Sequence, residues 1–222
     1  MGIDVSFGAV SVSQCHDAVV QRDSNVAWLA AATHVVASMA MLLLLREGLP
    51  GPSAEERLAY IADHRAAWMG GWLLWQLAAL SLIAFYGVLA LRFRGVASLV
   101  AMTCAGAGLA LDLASEARYM GVLPELRGDE FARVDRDLEV LIGYGANGLY
   151  TVAFVLLVIA GWSVLPRIAR ILSPVVAASG FALAVVSLAH SPRWETITSA
   201  ILFPFFTLWI VVVALWLRRE SS

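Results

Sequence analysis

The chain has 222 residues, of which 60% are hydrophobic and 14% charged, and carries a formal net charge of −2. Soluble domains run nearer about 45–50% apolar and about 25% charged, so a water-soluble fold of this composition would expose large apolar patches. The near-neutral charge argues against a nucleic-acid partner, and the absence of lysine excludes a retinal Schiff base.

Residues 1–24 read as a cytoplasmic tail. Its Asp4, Asp17 and Asp23 are unlike the short basic start of a signal peptide, so the apolar run at 25–45 is read as a retained helix rather than a cleaved leader. That run is near the length of about 20 residues that a helix needs to cross a bilayer. It carries His34 and Ser38 four apart, at mid-depth. Beyond it, Ser53-Ala54-Glu55-Glu56 matches a capping box. Leu58, Ile61 and Ala62 follow at helical spacing, which predicts a short helix lying flat on the membrane surface.

The second span, 66–91, starts after Asp63-His64-Arg65 and carries Gln76 nearer its middle. Trp68, Trp72 and Trp75 at its first end read most simply as an interfacial anchoring belt, with Trp72 also a candidate rim residue for a ligand. The third span, 95–114, ends in Asp112 and Glu116, four apart and therefore on one helical face. Gly108 and Cys104 continue that face, with Ala101 and Ala105 beside it. Small residues at this spacing let a neighbouring helix approach closely, so the carboxylates should point into the bundle. A plainer alternative is an interfacial ion pair with Arg118 and Arg193. Cys15 sits in the tail and Cys104 inside a span, so no disulfide between them is expected.

In the loop that follows, Phe131, Val134, Leu138 and Leu141 share a face, while Glu130, Arg133, Arg136 and Asp137 fill the rest. The pattern extends the fourth span, 138–165, beyond the lipid. The charge runs of both long loops read as solvated faces. Tyr144, Asn147 and Thr151 follow at spacings of three and four. The fifth span, 171–189, ends near Ser187 and His190, and the sixth, 194–217, opens with Glu195 and leads into a short tail at 218–222. The expected fold is therefore all-α, an integral membrane bundle of about six transmembrane helices. Barrel strands would alternate in polarity, whereas these runs are apolar on every face. Seven arginines fall on the side of the short turns and chain ends and eight on the other. Those packed into the very short turns favour both termini in the cytoplasm.

Polar groups at membrane depth are costly and are functional candidates by default. Asp112 and Glu116 are the candidate catalytic carboxylates. His34, Gln76, Tyr144, Asn147, His190, Glu195 and Trp72 are the candidate binding residues of a polar pocket near the outer leaflet. His64, His190, Asp112 and Glu116 form no recognised metal spacing. No phosphate loop, nucleophile elbow, thiol pair or haem motif appears, so neither a metal nor a cofactor is expected.

The run Ile201-Leu202-Phe203-Pro204-Phe205-Phe206-Thr207-Leu208-Trp209, the end at 215–219 and Asn147-Gly148-Leu149-Tyr150, taken with the helix spacing, resemble an uncharacterised family of six-helix bacterial membrane proteins, classed only as a domain of unknown function. The resemblance runs from about residue 25 onward. It implies a bacterial inner-membrane protein and brings no activity or catalytic residues. Three functions are then open. The first is binding of a small amphipathic or lipidic molecule, or of a partner helix, with the lipid bilayer as surroundings. The second is intramembrane acid–base catalysis by Asp112 or Glu116 on an isoprenoid- or lipid-like substrate. The third is a small proton-coupled transporter, against which the missing internal repeat counts. The oligomeric state stays open.

Overall fold

The structure, a computed structural model, describes residues 12–45, 49 and 53–219, with side chains described from Gln21 on. Helix α1 (Val12–Ala40) is continued by a π-turn, Met41–Leu45. Then come α2 (Ala54–Asp63), α3 (Arg65–Phe93), α4 (Val96–Gly121) and a 3₁₀ turn, Leu123–Glu125. Helix α5 (Gly128–Glu139) passes through a second π-turn, Val140–Ala146, into α6 (Asn147–Gly161), followed by α7 (Arg167–Leu188) and α8 (Pro192–Arg219). No strand occurs among the described residues.

Six of these segments are long and apolar enough to cross a membrane: Gln21–Leu45, Arg65–Phe93, Val96–Glu125, Gly128–Gly161, Arg167–Leu188 and Pro192–Arg219. Their outward faces bear Leu42, Leu77, Leu99, Ile159, Val185 and Leu208, all exposed. Large side chains left bare on every span are untenable in water and ordinary in lipid. This is an all-α multi-pass membrane bundle.

Local chemistry sets the ends of the spans. Arg94 and Gly95 both take positive φ, reversing the chain between α3 and α4. Pro166, extended, ends the turn before α7, and His190 in the left-handed region ends the turn after it. Pro192 then occupies the first position of α8, where its missing N–H costs nothing. Two spans outrun the lengths read from the sequence. The first helix begins at Val12, well before residue 25, and the third continues past 114 to Gly121. Polar side chains at those ends do not stop a helix; they only interrupt the apolar run. The tail beginning at Arg218 is likewise still helical through Arg219. Cys15 falls where side chains lie outside the described residues, and Cys104 is a half-buried free thiol.

The spans pack in chain order around a ring: α1 on α3, α3 on α4, α4 on α6, α6 on α7, α7 on α8, and α8 back on α1. Helix α3 also touches α6 across the middle. In lipid such contacts depend on close packing and hydrogen bonds, because lipid tails are as apolar as leucine. Small residues supply the close approach. A Cβ at Gly108 would lie 3.1 Å from the Tyr150 ring and 3.2 Å from the Ala146 carbonyl, so the small face expected on α4 does meet α6. Across the next contact, Gly143 lies against Ser187 and Gly180 against Thr151.

One end of the ring, the turn end, holds the two short turns and both ends of the described chain. It is closed inside by an aromatic plug. Trp209, fully buried, meets Phe154 edge-on at 4.9 Å and donates through Nε1 to the Ala169 carbonyl at 3.1 Å and to Ser173 Oγ at 3.0 Å.

The other end carries a packed cap in place of loose loops. The capping box is present, with the Glu56 N–H donating to Ser53 Oγ at 3.2 Å and the Ser53 N–H to Glu56 Oε2 at 2.9 Å. Helix α2 docks on α3, α5 and the 3₁₀ turn, so it does not lie alone on a surface. Its Ile61 joins Leu123, Phe131, Val134 and Leu138 in a second apolar core. The charge runs are not wholly solvated either. Arg57 is 4% exposed and Asp135 8%, and both guanidinium Nη atoms donate to the carboxylate, Nη2 to Oδ1 at 2.9 Å. This pair clamps α2 to α5.

Candidate functional site

Two adjoining chambers run along the inside of the ring from its middle to the cap. The inner one has a volume of about 60 Å³ and is lined from all six spans, among them His34 of α1, Tyr86 of α3, Asp112 of α4, Asn147 and Tyr150 of α6, Val176 of α7 and Phe206 of α8. The cap chamber, about 130 Å³, lies among the π-turns and the first turn of α8, with Met41, Gly143, Glu139 and Glu195 on its walls. Trp75, Asn147 and Phe203 line both and form the partition. One water occupies about 10–15 Å³ of such free space. Each chamber therefore takes several waters or part of an organic ligand.

The inner chamber is polar on one side. Tyr150 Oη donates to Asp112 Oδ2 at 3.2 Å, and Tyr86 Oη donates to the Tyr150 carbonyl at 3.4 Å. Asp112, only 3% exposed, has no protein donor on Oδ1. His34 is buried against Phe206 at 5.5 Å, edge to face, and its Nδ1 lies 2.8 Å from the Ala30 carbonyl. A carbonyl only accepts, so Nδ1 carries the hydrogen. Asn147 Nδ2 donates to the Ile142 carbonyl, 3.2 Å away in the π-turn, which ties the partition residue to the wide turn beside it. The opposite side is apolar, with Leu82, Val176, Leu202 and Phe206.

Glu116, one turn beyond Asp112, behaves differently from its partner. It is fully buried but lines neither chamber. The Gln76 side chain lies beside its carboxylate, yet neither Glu116 oxygen meets a hydrogen-bond geometry. Both carboxylates face into the bundle, as the small-residue stripe implied. The plainer alternative is not what forms: among the described residues no ion pair joins Asp112 or Glu116 to Arg118 or Arg193.

In the cap chamber the carboxylates are Glu139 and Glu195, with Ser187 on the same wall. Oε1 of each is buried and unmatched. His190 approaches Glu139, Nδ1 to Oε2, at 3.6 Å. The aromatic wall is Trp68, Trp72, Trp75, Tyr119 and Phe203. Trp72 stacks on Tyr119 at 4.6 Å, and Trp68 Nε1 donates to the Tyr119 carbonyl at 2.9 Å. Trp72, 5% exposed, leaves its own Nε1 hydrogen without an acceptor.

Several expectations need correcting. Trp68 and Trp72 are interior walls, not a membrane-anchoring belt; with Trp75 they form a stripe at i, i+4, i+7 on the inner face of α3. Tyr144 is 50% exposed and lines neither chamber. It lies in the π-turn, whose extra residue shifts the helical phase by about 100° and so takes Tyr144 off the face of Asn147 and Thr151. His190 stands at the edge beside Glu139 and lines neither chamber. Of the other candidate binding residues, His34 and Asn147 line the inner chamber, Trp72 and Glu195 the cap chamber, and Gln76 neighbours Glu116. Glu139, Arg57 and Tyr119 were missed. A signal was there for Glu139: it follows Asp135 by four residues, the same spacing that drew attention to Asp112 and Glu116.

No family model, no curated protein and no solved structure matches the chain. Its class therefore rests on its own geometry: a six-span helical membrane bundle with an internal two-chamber cavity.

Proposed function

We propose that the chain is a bacterial inner-membrane protein that binds a small amphipathic molecule in the two-chamber cavity, with both termini in the cytoplasm and the cap on the outer side. The observation that carries the reading is the pairing of an apolar wall with buried polar atoms that no protein group satisfies. Asp112 Oδ1, Glu139 Oε1, Glu195 Oε1 and Trp72 Nε1 are all out of contact with bulk water and unmatched. Leaving such groups without partners is costly, and Asp112 shares the inner chamber with Leu82, Val176 and Leu202. A ligand with one polar and one apolar end answers both surfaces.

Two features favour binding over the alternatives. Only one carboxylate, Asp112, reaches the inner chamber, so the acid–base pair that a reaction on an apolar substrate would draw on is not assembled there. The aromatic plug at Trp209 closes the turn end, which favours a dead-end site over a passage. The arginines of the short turns support the cytoplasmic side.

Native mass spectrometry of the protein purified in a maltoside detergent tests the reading. A small-molecule adduct distinct from detergent is expected. It should be lost in Ala79→Leu, because Ala79 is a buried wall residue of the inner chamber, while the unfolding temperature holds. No adduct in the unaltered protein sinks the proposal. Asp112→Asn separates the acid–base alternative, in which turnover of an added lipid extract would vanish with binding retained.

A further inference from the structure

We propose that the ligand is a cationic amphiphile, an ammonium bearing N–H with a hydroxyl, ether or ester oxygen close by, whose head sits between Glu139 and Glu195. The inference rests on the cavity reading above and names the chemistry of its ligand.

Charge comes first. The Arg57 guanidinium on the wall of the cap chamber is engaged by Asp135 through both Nη atoms. Glu139 and Glu195 have no arginine partner among the described ion pairs, and the nearest imidazole, His190, stands at the edge 3.6 Å from Glu139. The chamber is thus left acidic. Its walls are the aromatic faces of Trp68, Trp72, Trp75, Tyr119 and Phe203, and such faces attract ammonium groups most strongly where water is excluded.

The unmatched atoms narrow the class. Glu139 Oε1 and Glu195 Oε1 are acceptors in need of donors, whereas the buried Trp72 Nε1 is a donor in need of an acceptor. A metal ion or a plain alkylammonium would leave the indole unsatisfied. An oxygen placed next to the cation completes all three. The apolar tail then passes the partition of Trp75 and Phe203 toward Leu82, Val176 and Leu202 of the inner chamber.

The groups facing this pair are Ser187 from α7, His190 from the turn before α8, Tyr119 from α4, and the Arg57–Asp135 pair of α2 and α5.

The test uses the full chain in maltoside micelles at neutral pH, titrated with three probes that share one tail: 2-(hexylamino)ethanol in its ammonium form, hexanol and hexanoate. Binding is followed by tryptophan fluorescence. The expected result is binding of the ammonium probe with affinity at least about tenfold above that of the other two probes. Glu139→Gln and Glu195→Gln, which keep the side-chain shape, should each remove that preference. Equal or tighter binding of hexanol or hexanoate overturns the cationic class while leaving the cavity reading in place. If no probe binds, both readings fall. The probe series on the unaltered protein decides the charge question even where a variant fails to fold.

Discussion

Removing the Asp135 charge by Asp135→Asn puts the packed cap to a quantitative test. Arg57 and Asp135 are 4% and 8% exposed, and the guanidinium also lies 5.6 Å from the Phe131 ring centroid, so the arginine cannot swing into water without unpacking α2 from α5. Breaking one side of a buried ion pair costs about 3–5 kcal/mol, because the remaining charge stays buried without its partner. The Asp135 side chain keeps 11% of its surface, which places the expected loss near the lower end, about 3 kcal/mol. At about 2–4 °C per kcal/mol for a chain of this length, the unfolding temperature should fall by about 6–12 °C. Thermal unfolding in maltoside micelles, followed by circular dichroism, reads this directly. The double change Arg57→Met with Asp135→Leu should recover most of the loss, since well-packed apolar replacements of buried ion pairs are often neutral. With the single changes Arg57→Met and Asp135→Leu measured beside the double, the cycle yields a coupling that a surface pair would not show. A shift below about 2 °C for Asp135→Asn would refute the buried clamp and return α2 to the loosely attached surface helix that the sequence pattern implied.

Three other perturbations separate contacts by kind. Gly143→Ala drives a Cβ into the Ser187 side chain and should cost about 1–3 kcal/mol by overpacking, with Ser187→Gly in the same chain restoring the unfolding temperature. Ser81→Ala removes the 2.6 Å contact with Thr33, yet should cost less than about 1 kcal/mol: Thr33 Oγ1 already bonds the Leu29 carbonyl at 3.0 Å, so it is not left bare. At the cap surface, the Ser53 N–H and hydroxyl hold the Glu56 carboxyl below its ordinary range. A depressed folded-state value means that its contribution is complete above the unfolded-state pKa and is lost as pH falls through the folded one. Amide exchange in the first turn of α2 should therefore accelerate below about pH 4 in the native chain, and Glu56→Gln should remove that pH dependence.

The spans were legible because their cause is local. Any helix that crosses a bilayer must be apolar over a fixed length, and all six apolar runs became helices in place. The inward turn of Asp112 and Glu116 was legible for a related reason. Gly108, Ala105 and Ala101 mark the face of α4 that another helix approaches, and carboxylates on that face cannot meet lipid. What escaped depended on partners far along the chain. Arg57 and Asp135 each lie in a charged stretch that reads as solvated, and only the docking of α2 on α5 buries them. Tyr144 was misplaced because the phase of an α-helix was carried through a π-turn, for which an apolar run offers no cue. The tryptophans of α3 fit a membrane belt equally well until Tyr119, on another helix, supplied a stacking partner for Trp72.

The π-turns bear on the site as well as on the register. Both lie at the cap end, at Met41–Leu45 and Val140–Ala146, and each contributes to the wall of the cap chamber, through Met41 and through Ile142 and Gly143. Widening a helix by one residue changes how it packs on its neighbours, and such turns recur at functional sites. Here the wide turn of α5–α6 directly follows Glu139 and is bonded to Asn147, so the widening, a carboxylate of the cap chamber and the partition between chambers belong to one short segment.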